Sequence, residues 1–362
     1  MSTEFYPLTI SDVERLTKDS VAISFAVPME LKEKFAYKQG QHLTLRSAID
    51  GQDIRRSYSV CQGIDSDHLK VGIKAIENGV FSNYANQQLQ TGMQIEVMPP
   101  QGHFYTELSE TSHKNYLMIA VGSGITPILS NIESIFSTEP DARITLLYGN
   151  KKTPLMMFRE NLSFVKNKNM AHFQWLNFFT EEENDSEILN GRINAQKLID
   201  LDKSRMIDLK SFDEFLVCGP EKMTLEIASA LEYWSFDKSK IHYELFFSGN
   251  EEIKTEKLQE QRSKKYGHKI SSVSVKVSGR KTKMQLEMGG ENILDAAMEQ
   301  GADLPFSCKG GVCATCKAKV IKGNVEMDVS HGLTEQEIKE GMILTCQAHP
   351  ISDEVEIDFD FS

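Results

Sequence analysis

At 362 residues the chain is longer than one hydrophobic core ordinarily supports, so two or three domains are expected. With 40% hydrophobic and 25% charged residues it reads as an ordinary soluble protein, and no apolar run approaches the ~20 residues of a membrane helix. The net charge of −12 argues against nucleic acid as a partner. The start, MSTEFYPLTISDVERL, lacks the basic and apolar segments of a secretion signal, so a cytoplasmic location with no membrane partner is expected.

Up to about residue 107 the chain shows short β-like runs, QHLTLRS, RRSYSV, LKVGIKAI and MQIEVMPP, punctuated by Gly and Pro. That spacing predicts a small antiparallel β-barrel or sandwich, assigned here to residues 2–107. Within it, Arg56-Ser57-Tyr58-Ser59 closes one strand, and the Gly-x-x-Ser of Gly79 to Ser82 follows some twenty residues later. Either stretch alone also occurs on half-buried strands and turns.

From about 108 to 249 the texture changes. The buried-strand runs NYLMIAVG, ARITLLYGN, HFQWLNFFT and EFLVCGP alternate with helical patterns, which predicts βαβ units and a parallel sheet. Gly122 and Gly124 sit at a strand-to-helix turn where a backbone can approach a phosphate. Residues 250–270 hold ten charged residues and are expected to form an exposed linker, part helical.

The last region, 271–362, begins with strand patterns and continues with the helix ENILDAAMEQ, closed by Gly301. It contains Cys308-x4-Cys313-x2-Cys316 and, thirty residues on, Cys346. Four cysteines so spaced match the plant-type [2Fe–2S] pattern, in which thiolates hold two irons. A four-cysteine zinc site is the alternative, but such sites usually pair their cysteines as two short knuckles, and Cys346 stands alone. Gly310 and Gly311 would let the loop turn and aim N–H groups at sulfur.

These stretches in this order resemble the ferredoxin–NADP reductase superfamily joined to a C-terminal plant-type ferredoxin of β-grasp (α+β) fold. FAVP, GQHLTL, RRSYS, MPPQGHF, AVGSGITPIL, GADLPFSCKGGVCATCKAKV and LTCQAHP are similar, over nearly the whole chain, to the reductase components of phenylacetyl-CoA epoxidases. The resemblance implies an FAD-binding barrel, an NAD(P)-binding α/β domain and a [2Fe–2S] domain. It implies FAD contacts from Arg56 (pyrophosphate), Tyr58 and Phe246 (flavin ring), Ser59 (near flavin N5), Lys74, Gly79 and Ser82. Asn78 stands where many relatives have glycine.

It further implies nucleotide contacts from Gly122, Gly124, Thr126, Pro127, Gly219 and Pro220, with Cys218 and Glu244 beside the hydride-transfer site. Lys151, Lys152 or Arg192 would meet a 2′-phosphate, favouring NADPH without excluding NADH, although the acidic TEEEND segment lies where NADPH-selective relatives place serine and arginine. A nicotinamide gives two electrons together and the cluster takes one at a time, so the order NADPH, FAD, cluster is expected. The acceptor implied is a separate di-iron oxygenase. A hybrid-cluster protein, a desaturase or another hydroxylase is the alternative, and a redox-sensing module stands further off because it needs no hydride entry. Nine Lys/Arg against fifteen Asp/Glu in 271–362 would suit docking to a basic acceptor face, or simply solubility.

Overall fold

The computed structural model describes residues 4–246, 262 and 264–361. They form two compact units, a larger one running essentially from Tyr6 to Phe246 and a smaller one built on the C-terminal residues.

The larger unit opens with strands β1 (Tyr6–Thr17), β2 (Ser20–Ala26), β3 (His42–Ile49), β4 (Gln52–Ser59) and β5 (Leu69–Lys74), then helix α1 (Val80–Gln87) and strand β6 (Gln94–Val97). The sheet order is β4-β3-β6-β1-β2-β5, and an antiparallel bridge from Val60 to Val71 joins the two edges and closes the barrel. Closure removes edge strands that would otherwise pair with other chains. Inside lie Leu8, Ile10, Val21, Ile23, Leu43, Leu45, Val71, Ile73 and Phe81 from α1. Strand β2 breaks the half-buried pattern expected of a barrel strand, being buried from Ser20 to Phe25. Its Val21, Ile23 and Phe25 fill the barrel, while Ala22 packs into the neighbouring core.

That second core belongs to a doubly wound sheet. Strands β7 (Asn115–Val121), β8 (Arg143–Asn150), β9 (Phe173–Phe179), β10 (Glu214–Gly219) and β11 (Ile241–Leu245) alternate with helices α2 (Ile125–Thr138), α3 (Arg159–Lys168), α4 (Ala195–Lys203) and α5 (Glu221–Tyr233). Every pairing is parallel, in the order β11-β10-β7-β8-β9. Alternate residues of β7 serve opposite faces: Tyr116, Met118 and Ala120 pack under α2, Leu117 and Ile119 on the other side. Burial on both faces explains why these strands read as continuous apolar runs. The chain winds outward from β7 through β8 and β9, then returns to β10 and β11 on its other side. The switch point lies between β7 and β10, where the carboxyl ends of open α/β sheets leave a crevice.

The smaller unit holds β12 (Ile270–Val277), β13 (Arg280–Glu287), β14 (Lys317–Lys322), β15 (Val325–Met327), β16 (Met342–Leu344), β17 (Ala348–Pro350) and β18 (Glu354–Asp358). Five strands form a mixed sheet, β13-β12-β18-β14-β16, with β12 and β18 parallel. Helix Ile293–Glu299 buries Ile293, Leu294, Ala296 and Ala297. The Asn292 side chain caps it by accepting from the Asp295 N–H, and Gly301 follows at φ 83°, as expected of a residue just past a helix end.

Most of the expected linker (250–261 and 263) lies outside the described residues. Its far end departs from expectation. Arg262 is buried, donates from Nε to the Gly289 carbonyl (3.0 Å) and pairs with Asp328, which also meets His349 (3.2 Å). Lys264, Lys265 and 267–270 are exposed, and 264–266 are helical, so the departure is confined to Arg262. Among the described residues no helix is long and apolar enough to cross a membrane.

Candidate functional site

The switch-point crevice gathers residues from both halves of the larger unit. Parallel pairing of β10 with β11 sets Cys218 beside Glu244, and pairing with β7 sets Cys218 beside Ala120. From the barrel, Ser59 at the end of β4 donates its hydroxyl to Glu244 Oε2 (3.0 Å). His42 at the start of β3 brings Nδ1 to 3.8 Å from Glu244 Oε1. Ser59, His42 and Cys218 are each at most 5% exposed, so Glu244 meets them in a largely dry setting. Burial first, and then the Glu244 charge, push the Cys218 thiol far above its ordinary range. It therefore stays neutral at working pH and adds no second negative charge beside the carboxylate.

His42 was not among the residues expected here. Nothing in GQHLTL marks it; only the fold brings β3 to the end of β11.

The nucleotide-type loop packs against this cluster at close range. Gly122 takes φ 57°, and a Cβ on Gly124 would lie 2.2 Å from the Cys218 carbonyl oxygen. Only glycine lets that turn rest on the β10 backbone. Thr126 and Pro127 are buried in the first turn of α2, and the Thr126 hydroxyl donates to the Ser123 carbonyl (3.0 Å). Thr126 thus shapes the loop. The α2 amides and helix dipole supply the anion-favouring end. Gly219 ends β10 beneath Val121, Pro220 precedes α5, and Phe246 packs against the larger core just past β11.

On the barrel side the Tyr58 ring rests on Phe81 (centroids 5.6 Å apart, tilted 40°), which leaves it supported from beneath. Arg56 lies two residues earlier on β4, exposed, with Nη1 donating to the Arg55 carbonyl (2.7 Å). Asn78 takes the left-handed φ of 59° that its short polar side chain tolerates, turning the chain into Gly79 and α1. Ser82 spends its hydroxyl on that turn, accepting from the Ile76 N–H and donating to the Gly79 carbonyl (both 3.3 Å). Lys74 ends β5 with Asp19 3.8 Å away.

Lys151 and Lys152 leave the carboxyl end of β8 and both face Glu181 (3.7 and 3.9 Å). Arg192 is exposed on the loop before α4.

In the smaller unit the four cysteines converge in pairs. The neighbouring Cys313 first, and then burial, hold the Cys308 thiol well above its ordinary range, and Cys316 and burial do the same for Cys346. Four sulfurs in two pairs suit two irons sharing four thiolates. The loop is shaped for such a group. Lys309, Gly311 and Ala314 take positive φ (54°, 73° and 55°), and the Gly310 N–H points at Cys308 Sγ (3.3 Å). Backbone held in left-handed conformations at non-glycine positions marks a loop fixed by its surroundings. Leu344, Ala348 and the buried Cys316 and Cys346 share the domain core.

These sites and folds define a flavin- and nicotinamide-dependent oxidoreductase carrying a [2Fe–2S] domain. Residues 7–105 match the oxidoreductase FAD-binding domain family, 118–228 the oxidoreductase NAD-binding domain family and 275–350 the 2Fe-2S iron-sulfur cluster binding domain family. The chain belongs to the oxygenase reductase components that join a ferredoxin–NADP reductase-type body to a C-terminal plant-type ferredoxin domain, and its cofactors are FAD, a nicotinamide nucleotide and [2Fe–2S].

It is 42% identical to a component of the 1,2-phenylacetyl-CoA epoxidase of Escherichia coli K12, over 99% of this chain and 98% of that protein. It is 30% identical to the ferredoxin reductase component of 3-ketosteroid-9-alpha-monooxygenase of Rhodococcus rhodochrous, over 97% and 96%. Among solved structures, phthalate dioxygenase reductase shares the fold at a TM-score of 0.59 and 19% identity, covering 98% of both chains.

Proposed function

We propose that this reductase draws on NADPH and serves a di-iron oxygenase that epoxidises the ring of phenylacetyl-CoA. The observation that carries the electron-entry half is the meeting of Ser59 and Glu244 at 3.0 Å beside Cys218, at the switch point under the Gly122–Gly124 loop. The end-to-end similarity to the Escherichia coli epoxidase component supports the choice of acceptor. The same chain serving a hybrid-cluster protein, a desaturase or another hydroxylase is the competing reading.

Bound FAD would accept a hydride and release its electrons singly to the cluster. In our assignment Arg56 binds the pyrophosphate as a planar bidentate donor, helped by the amides at the head of α1 between Gly79 and Ser82, with Lys74 nearby. Tyr58, backed by Phe81, and Phe246 flank the flavin ring. Ser59, its hydroxyl proton given to Glu244, would stand near flavin N5 with its oxygen free to accept, so that a proton there would have an acceptor backed by a carboxylate within hydrogen-bond reach. Cys218, kept neutral, packs beside the nicotinamide without charging the site. Gly122, Gly124, Gly219 and Pro220 let the nucleotide approach the backbone, and Thr126 and Pro127 hold that loop.

Lys151 and Lys152 would exchange Glu181 for the 2′-phosphate of NADPH, with Arg192 as a further cation. Cys308, Cys313, Cys316 and Cys346 would hold the two irons. We assign the modules to residues 2–107, 108–249 and 271–362 with 250–270 between them. A cytoplasmic setting, which suits six cysteines that form no disulfide with one another, completes the proposal.

The test is anaerobic mixing of the purified protein with NADPH or NADH, followed by absorbance and EPR, then addition of candidate oxygenase components with phenylacetyl-CoA. Flavin bleaching followed by a one-electron cluster signal, faster with NADPH, and epoxide formed only with the phenylacetyl-CoA oxygenase are expected. A cluster reduced by dithionite but by neither nucleotide would refute the entry half. Equal turnover with an unrelated oxygenase would refute the acceptor.

A further inference from the structure

Helix α2 presents four polar residues to the barrel in little more than one turn. Ser130, Asn131 and Ser134 are fully buried and Glu133 partly so. Ser130 donates to the Gln62 carbonyl (2.7 Å) and accepts from the Gly40 N–H (3.2 Å). Asn131 donates to the Phe104 carbonyl (3.1 Å), and the Ile64 N–H donates to Ser134 Oγ (3.0 Å). The Gly63 N–H donates to Glu133 Oε2 (2.7 Å), while Tyr37 donates to the Gly63 carbonyl from the barrel side (2.7 Å). A Cβ on Gly63 would lie 2.9 Å from Glu133 Cβ, so turn and helix already touch. Most of this cluster is out of water, and none of these hydrogen bonds reaches Ser59, His42 or Glu244.

Its two ends lead to that site. Gly63 follows Ser59 by four residues, along a stretch fixed by the Val60–Val71 bridge and by the Cys61 N–H on the Lys70 carbonyl (3.0 Å). Glu133 follows Gly124 by nine residues on a helix, about 13 Å along its axis at 1.5 Å per residue. Apolar surfaces alone would let α2 slide or roll on the barrel. An amide aimed at a carboxylate oxygen 2.7 Å away is directional and resists both motions.

We propose that Glu133 is a positioning residue that, through Gly63, fixes the reach from the nucleotide loop at the head of α2 to Ser59 at the end of β4. The inference rests on the reading of those two places as the nicotinamide and flavin sides. Hydride transfer needs its partners in near-attack geometry, and a misplacement of about 1 Å costs on the order of a hundredfold in rate. A latch outside the site can therefore govern rate without touching either cofactor.

The full-length holoprotein with Glu133→Ala and Glu133→Gln tests this. Three readouts are followed: the flavin reduction rate at saturating nucleotide, the long-wavelength nicotinamide–flavin charge-transfer absorbance, and amide hydrogen exchange at Gly63 and Ile64. Glu133→Ala is expected to slow reduction about tenfold or more, weaken the charge-transfer band and speed exchange at both amides, with nucleotide affinity nearly unchanged. Glu133→Gln keeps an oxygen acceptor for the Gly63 N–H and is expected to recover most of the rate and the band. A wild-type rate and band in the alanine variant overturn the proposal, whatever happens to its melting temperature. If the alanine variant fails to keep FAD, Ser134→Ala removes the Ile64 bond across the seam, along with the hydroxyl's own bond to the Ser130 carbonyl within α2 (2.7 Å); a weaker band is expected, and an unchanged one overturns the proposal. Wild-type flavin silent to both nucleotides would instead sink the electron-entry reading itself, a result visible before any variant is made.

Discussion

Replacing Gly124 with alanine tests the crevice where its tolerance is smallest. The backbone there has φ −59° and ψ −10°, which alanine adopts freely, so the substitution acts by volume alone. The new Cβ would lie 2.2 Å from the Cys218 carbonyl oxygen, 2.6 Å from its carbon and 3.0 Å from the Gly219 nitrogen. All three are backbone atoms of β10, fixed by parallel pairing to β7 and β11, so no side chain can rotate away. Ordinary contact requires the loop to retreat by about 1 Å. Overpacking of this kind costs about 1–3 kcal/mol of stability, and a 1 Å displacement of a bound reactant costs on the order of a hundredfold in rate. Stopped-flow reduction of the flavin at saturating NADPH should therefore fall at least tenfold, while FAD content stays at the wild-type level because the barrel is untouched. Reduction within a factor of two of wild type would show that no nucleotide lies over this loop.

Four further outcomes follow from the same geometry. Cys313→Ala should abolish the cluster signal yet leave flavin reduction by nucleotide intact, read by EPR and bleaching in one sample; loss of both would contradict separate modules. Arg56→Ala should release FAD on gel filtration, weakening its binding by about 2 kcal/mol as expected for a lost charge-assisted contact, and full flavin content would count against the assignment. Glu244→Gln should slow flavin reduction about tenfold or more without changing FAD content, and an unaffected rate would remove Glu244 from the site. Asp328→Asn should destabilise the smaller unit by about 3 kcal/mol near neutral pH, measured by thermal loss of cluster absorbance. Burial alone would raise the Asp328 pKa, but its bonds to His349 and Arg262 outweigh burial and leave it lowered. A lowered folded-state value means the carboxylate stabilises above the unfolded value near pH 4 and ceases to as pH falls through the folded one. The difference between variant and wild type should therefore shrink in acid, and a difference that persists there would refute the ionic reading.

Much of this was legible in the chain because each module carries its own period or spacing. The runs NYLMIAVG and EFLVCGP became β7 and β10, and the cysteine spacing needed no three-dimensional help. The long strand β1 and the wholly buried β2 were less visible, since β2 serves two cores and so loses the alternation that marks a barrel strand. His42 and Glu133 carried no local signal at all. Each matters through a contact about two hundred or some seventy residues away, with Glu244 and Gly63. Arg262 sat in a run of charge that reads as solvated, and only its pairing with Asp328 reveals it as buried. Thr126 shows what position alone does not say: beyond its place at a helix start, its hydroxyl braces the loop by donating to the Ser123 carbonyl.

Strand β2 has one further consequence. Because Val21 and Ile23 sit in one core and Ala22 in the next, melting the barrel strips a wall from the nucleotide sheet, and the reverse also holds. The two halves of the larger unit should then denature in a single cooperative transition, with the change in flavin fluorescence on release coinciding with the loss of far-ultraviolet ellipticity. Cutting the chain between them would leave neither fragment with a complete interior, so the flavin and nucleotide halves are expected to be inherited, expressed and engineered together.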